Sequence, residues 1–193
     1  MQERKSLPPA VRRRFQTGRP CLDLVHTGGE GELAVWEIVH TSEDLGRWLS
    51  VILEIPGITA EDADLTAFRT LRAALSRSAF GQAAGTPLSP NDIDTINSAA
   101  TERPLTPRLG PALTLDYPDP TAKAALSTLA RDAIDLFASP LATRIRVCAS
   151  ETCGLLFVDA SRPGRRKWCS MDRCGNLSKV ARYRESHSGE PGA

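Results

Sequence analysis

Aromatic residues make up only 5% of this 193-residue chain. A core so short of rings has to be filled by Leu, Ala, Ile and Val. No uninterrupted apolar run approaches the roughly 18 to 20 residues that a membrane span needs. The opening MQERKSLPPAVRRRF is charged and lacks the apolar region of a secretory signal. These absences lead us to expect no membrane partner and a cytoplasmic location. No internal repeat, phosphate loop, nucleophile-base arrangement or catalytic zinc pattern is present either, so the chain is not expected to be an enzyme.

With 41% hydrophobic and 24% charged residues, the composition is that of a globular protein able to bury a real core. The net charge of +1 hides a strong asymmetry. Residues 1 to 20 carry +5, residues 21 to 143 carry −9 and residues 144 to 186 carry +6. Two basic ends around an acidic middle are a candidate footprint for nucleic acid. They would equally let the ends dock on the middle.

Apolar periodicity places three long helices in the first 143 residues. Thr41 or Ser42 caps a helix that carries Leu45, Trp48, Leu49, Ile52 and Leu53, with Glu43 and Asp44 in its first turn and Pro56-Gly57 beyond its end. A second runs from about Ala60 to Ala83 on the stripe Leu65, Phe68, Leu71, Leu75 and Ala79. A third covers Thr121 to Ala138 and is expected to bury Leu126, Leu129, Ala130, Ala133, Ile134 and Phe137. Ser89-Pro90 opens a shorter helix through Ile93 and Ile96. GRPCLDLVHT at 18 to 27 reads as extended, ELAVWEIVH as strand or buried helical turn, and ALTLDY at 112 to 117 as a short strand or hairpin.

Four of the five cysteines fall within 27 residues, as Cys148-x4-Cys153, fifteen intervening residues, and Cys169-x4-Cys174. Two close pairs about a hairpin-length spacer are how a chain brings four thiolates to one tetrahedral zinc. Two disulfides would need an oxidising compartment. A redox pair normally has two residues between its thiols, and catalytic zinc keeps an open position that four thiolates would close. An iron site, or zinc that is lost under regulation, are the remaining alternatives. Between the pairs, LLFVD reads as a strand, SRPGRR as a turn and KWC as the returning strand, with Ser170 then capping a helix. About 46 residues with few large apolar groups need metal binding, worth ~10 to 16 kcal/mol in model fingers, to fold. Cys21 stands alone and reads as a small buried hydrophobe.

On a wheel of 100° steps, Cys174, Leu177, Val180 and Ala181 share one side, expected to face zinc and hairpin. Asn176, Lys179, Arg182, Tyr183 and Ser186 share the other. Cations for phosphates and an amide for a base edge are what DNA asks for. Arg162, Arg165, Arg166 and Lys167 on the turn would flank the same groove. The alternative is a solvated basic face.

RVCASETCGLLFVDASRPGRRKWCSMDRCGN resembles the CGNR zinc finger. RFQTGRPCLDLVHT and the capped helix ending in GRWL resemble the start of the ABATE domain, which precedes that finger in bacterial proteins described as stress-induced transcriptional regulators. The resemblance implies a helical ABATE domain plus finger, with Cys148, Cys153, Cys169 and Cys174 as zinc ligands and DNA binding as the activity. Two positions depart from the family pattern: Leu177 stands where the tetrapeptide has Arg, and His26 where Asn is usual.

The expected fold is therefore α+β and mainly α: a helical region over 1–143 with minor strand, a treble-clef-like finger over 144–186, and a tail over 187–193. The expected function is a transcription regulator, the finger holding DNA and the helical part sensing a small-molecule effector or mediating assembly, with a homodimer supplying two half-sites. A zinc-stapled ligand-binding or protein-interaction module is the alternative. Asp23 and His26 are the candidate ligand-site residues in the helical part.

Overall fold

The computed structural model describes residues 14–180. Among the described residues, five α-helices precede the first cysteine pair: α1 (Pro20–Val25), α2 (Ser42–Leu53), α3 (Asp62–Ala83), α4 (Pro90–Thr101) and α5 (Ala122–Ala138). A first two-stranded ribbon, β1 (Arg108–Leu109) with β2 (Leu115–Asp116), sits between α4 and α5. A second, β3 (Ile145–Val147) with β4 (Leu156–Val158), follows α5. Both ribbons are antiparallel.

The expected helices form for the expected reasons. Thr41 and Asp44 make a reciprocal capping box at the start of α2. Ser89 accepts the Asp92 N–H with Pro90 at the first helical position of α4. All five stripe residues of α3 are buried. Two residues of α5 expected to be buried lie further out: Ile134 is exposed and Phe137 only partly buried.

One segment differs outright. Residues 20–25, expected to be extended, form α1. Its Cys21, Leu22, Asp23, Leu24 and Val25 are all buried. A helix buried on every side, Asp23 included, has no amphipathic stripe to betray its period, and only Pro20 at the first position marks it. ELAVWEIVH resolves into a 3-10 turn over Gly31–Trp36 and an irregular stretch beyond.

Strand β4 decides how the C-terminal part is mounted. Side chains alternate across a strand. Leu156 and Val158 join the helical core, together with Ile145 of β3. Leu155 and Phe157 join a second apolar cluster with Cys148, Cys153 and Cys174. Trp36, Trp168 and Cys169 pack against that second cluster. This strand is thus a wall shared by two cores, and all three of its residues are buried. Among the described residues, no helix is long and apolar enough to cross a membrane.

Candidate metal centre

Cys148 leaves β3 and Cys153 leads into β4, so the first cysteine pair brackets the turn of the ribbon. The Cys148 N–H still reaches Leu155 O at 2.8 Å, and Cys153 N–H bonds Ser150 O at 3.0 Å, which closes the knuckle. Gly154, at φ +62°, turns the chain out of it.

The expected partner of LFVD was the returning KWC segment. The structure pairs it instead with IRV upstream, in the register Ile145↔Val158 and Val147↔Leu156. KWC returns without forming a strand, held by one backbone bond from Ala149 N–H to Lys167 O at 2.8 Å. The reason lies in the buried Asp159. Its carboxylate accepts from Ser161 N (3.0 Å), Ser161 Oγ (2.6 Å) and Arg166 N (2.8 Å), folding residues 159–166 into a tied loop rather than a tight hairpin. Burial opposes ionisation, but these bonds outweigh it and hold the Asp159 pKa below the usual carboxylate range. Arg144 adds a bond from Nη1 to Ser161 O at 2.9 Å.

The second pair enters from this loop. Cys169 precedes, and Cys174 sits within, a π-helical turn over Met171–Gly175 that leads into a helix from residue 176. Ser170, expected to cap it, makes no side-chain cap bond. Gly175 admits Met171 and Trp168 at close range: a Cβ there would lie 2.8 Å from Met171 Sδ and 3.6 Å from Trp168 Cε3.

All four Sγ atoms lie within 4.8 Å of one another. Cys153 and Cys169 sulfurs are 3.6 Å apart, and Cys169 and Cys174 sulfurs 3.7 Å. Sulfurs at a Zn–S distance of ~2.3 Å in a tetrahedron are separated by ~3.8 Å, so these spacings suit a shared zinc, while none of the cysteines is joined in a disulfide. Acidity makes the same point. Hydrogen bonding, chiefly from Cys169, pulls the Cys153 thiol down to about 5. Cys169 is pushed up, first by its bond to Cys153, and Cys174 is pushed up to about 11, first by burial. One thiolate in the cluster thus discourages the next, and a divalent cation is what lets all four ionise together. The Cys169 N–H points at Cys148 Sγ from 3.4 Å and would steady that thiolate. The four cysteines form a zinc-binding site.

The expected DNA-contacting residues divide. Arg162, Arg165 and Lys167 are exposed on the loop, and Asn176 and Lys179 on the helix. Arg162, Arg165, Lys167 and Lys179 have no ion-pair partner among the described residues. Arg166 has work of its own. Its Nη2 donates to Cys169 O at 2.7 Å and its guanidinium lies 5.2 Å from the Phe157 ring centroid, so it braces the metal loop. Arg182 and Tyr183 lie outside the described residues.

The wheel erred on the apolar side of this helix. Leu177 and Val180, expected to face zinc and hairpin, are 57% and 46% exposed. A π turn carries more residues per turn than 3.6, so a wheel of 100° steps begun at residue 173 loses phase before it reaches them. They border an open cleft of about 510 Å³ over Leu155 and Leu156, closed on another side by Arg14, Gln16 and Thr17.

Asp23 and His26, the candidate ligand site, are both buried and both serve β4. The outer edge of that strand has two N–H groups turned away from β3. Leu156 N–H donates to His26 Nε2 at 2.9 Å, and Val158 N–H to Thr17 O at 2.8 Å. Thr17 is itself fixed by its Oγ1 bond to an Asp23 carboxylate oxygen at 2.8 Å. The edge is thereby covered from within the chain. Sequence reasoning missed Trp36 and β3 at this centre. Only the alternation of IRV, too short to count as a signal, could have pointed to the strand.

Comparison with known families agrees with this geometry. No curated protein matches the chain. The model of the ABATE family, described as a putative stress-induced transcription regulator, matches residues 18–140. The CGNR zinc finger model matches residues 144–187. The chain belongs to the ABATE family and carries a CGNR zinc finger after the ABATE region.

Proposed function

We propose that this protein is a zinc-dependent DNA-binding transcription regulator in which the finger holds DNA and the helical region governs it through assembly or an effector. The observation that carries this reading is the set of exposed cations without carboxylate partners, Arg162, Arg165, Lys167 and Lys179, mounted on a scaffold whose shape the four cysteines fix. Zinc is structural here: four thiolates fill its coordination and leave no position for substrate. The cations supply phosphate contacts, and the exposed Asn176, whose Nδ2 donates a long 3.4 Å bond to Asp172 O, can exchange that bond for a base edge. Arg182 and Tyr183 belong to the same reading by sequence. Leu177 offers no charge where the family tetrapeptide has Arg, so one charge-assisted contact worth roughly 1.5 to 3 kcal/mol is missing.

Fluorescence anisotropy of zinc-loaded protein against a duplex from its own upstream region and a scrambled duplex, each at low and physiological salt, tests the reading. Tighter binding to the native duplex and a steep fall with salt are expected. Absence of binding to either duplex would overturn it.

A second reading, a zinc-stabilised module for small molecules or proteins, draws on the cleft beneath Leu177. Arg14 and Arg173 both border it, neither with a carboxylate partner among the described residues, above the apolar floor of Leu155 and Leu156. Burial alone lowers the Arg14 pKa. Protein indifferent to DNA but raised in melting temperature by a small organic anion would favour this reading.

A further inference from the structure

The β1–β2 ribbon has one apolar face that no described residue covers. Leu109 and Leu115 are directly opposed in its register and therefore share a face. They are 73% and 69% exposed, and Leu113 at the turn is 85% exposed at a left-handed φ of +61°. An isolated two-stranded ribbon is marginal in water unless its apolar face is packed.

On the adjoining face lies a shallow, mainly apolar trough of about 680 Å³ between α3, α4 and α5. Ala63, Ala67 and Thr70 form one wall, Ala99 stands opposite, and Leu71 and Leu126 lie beneath. Only the cleft at the root of the ribbon separates the two features; it shares Glu102 and Lys123 with the trough, and those two side chains are paired at 3.0 Å.

We propose that a second copy of this chain covers the ribbon, Leu113 of each copy seating in the trough of the other about a two-fold axis. Area argues for the trough. Full burial of a leucine removes about 60 to 120 Å² of apolar surface from water. Six leucines meeting face to face would bury at most about 700 Å², short of the ~1,000 Å² a specific interface needs. Adding both trough walls makes up the difference. Charge agrees: Asp94 on the trough rim and Arg103 at the ribbon root are exposed and without ion-pair partners among the described residues, so a reciprocal copy offers each its opposite. A knob and a hole on neighbouring faces close as a dimer when each copy gives one of each.

This surface does not depend on the DNA reading, because its test contains no nucleic acid. Sedimentation velocity of the full zinc-loaded chain from about 1 to 100 μM should show a dimer, the range in which interfaces of this size hold. Leu113→Asp removes the knob and Ala67→Trp fills the hole; each should weaken association at least tenfold while zinc content and melting temperature at low concentration stay unchanged. Thr70→Arg is a second way to close the trough if Ala67→Trp folds poorly. An equimolar mixture of the knob and hole variants regains one good contact of the two and should associate more tightly than either alone. Wild-type protein that is monomeric throughout, open-ended oligomers, variants that associate like wild type, or a mixture no tighter than its components would each overturn the proposal. Monomeric wild type would point to a different protein on the ribbon.

Discussion

Acid should loosen the joint between α1 and β4 through His26. This side chain is fully buried and its Nε2 accepts the Leu156 N–H, while Nδ1 has no hydrogen-bond partner among the described residues. Burial first, and the nearby Arg14 charge after it, lower its pKa from 6.5 to about 4. A second proton would have to go onto Nε2 and break the bond to the strand. Between these two values the unfolded chain binds more protons than the folded one, so stability is whole above pH 6.5 and drains away as pH falls toward 4. At ~1.36 kcal/mol per decade, the loss between pH 7.5 and pH 5 comes to about 2 kcal/mol. The assay is urea unfolding at both pH values for wild type and for His26→Gln, which keeps an acceptor for Leu156 but does not titrate. Protonation of the cysteine ligands affects both proteins alike and cancels in the difference. The wild-type advantage should shrink by about 2 kcal/mol from pH 7.5 to pH 5. A constant gap would refute the buried, neutral His26.

Four further outcomes follow from the site and its supports. Cys153→Ser should lose the metal and unfold the C-terminal region, seen as less than one zinc per chain and a collapsed melting temperature; full zinc and an unchanged melt would refute the four-cysteine assignment. Arg166→Ala, which removes the Cys169 O bond and the contact with Phe157, should cost about 1 to 2 kcal/mol and speed zinc release to a chelator. The exposed neighbour Arg165→Ala should change stability by less than ~0.5 kcal/mol while flattening any salt dependence of DNA binding. Gly28→Ala should destabilise by roughly 3 kcal/mol in denaturant melts, because Gly28 has φ +142° and its new Cβ would lie 2.6 Å from Glu37 Cα, forcing apart the two-bond pair of Glu37 with the buried Arg72.

Legibility in the sequence followed the strength of the local signal. The stripes of α2, α3 and α5 and the caps at Thr41 and Ser89 could be read because each helix shows one face to water and one to the core. The cysteine spacing could be read because a tetrahedral ion imposes it on any chain. Helix α1 could not, since burial on every side erases periodicity. The pairing of β4 could not either: three-residue strands have no period to count, and the choice between IRV and KWC is made by Asp159, a single carboxylate that ties its own loop. The post-zinc helix was found but mis-phased, through a π turn that no residue pattern announces. Arg166 shows the limit of charge as a signal, because a run of four cations gives no hint that one of them is spent on a carbonyl and an aromatic ring.

The two family regions meet in a way that neither pattern describes. Ile145, Leu156 and Val158 belong to the helical core, while Leu155 and Phe157, alternating with them, belong to the metal core. His26 and Thr17 then bond the free edge of the same strand. A finger mounted this way has little freedom to swing: tilting β4 would unseat apolar groups on two sides and strand two buried N–H groups, each worth about 1 to 3 kcal/mol when unpaired. Whatever binds the helical region therefore meets the finger as a rigid extension of its own core. A ligand or partner that shifts α1 relative to β4 by even a fraction of an ångström acts on the strand that also walls the metal core. Displacement at His26 and displacement at the zinc should for that reason be coupled, and hydrogen exchange at the Leu156 amide is where the coupling can be read: chelating the zinc should accelerate it together with the Val158 amide, whereas a finger independent of the helical core would leave both protected.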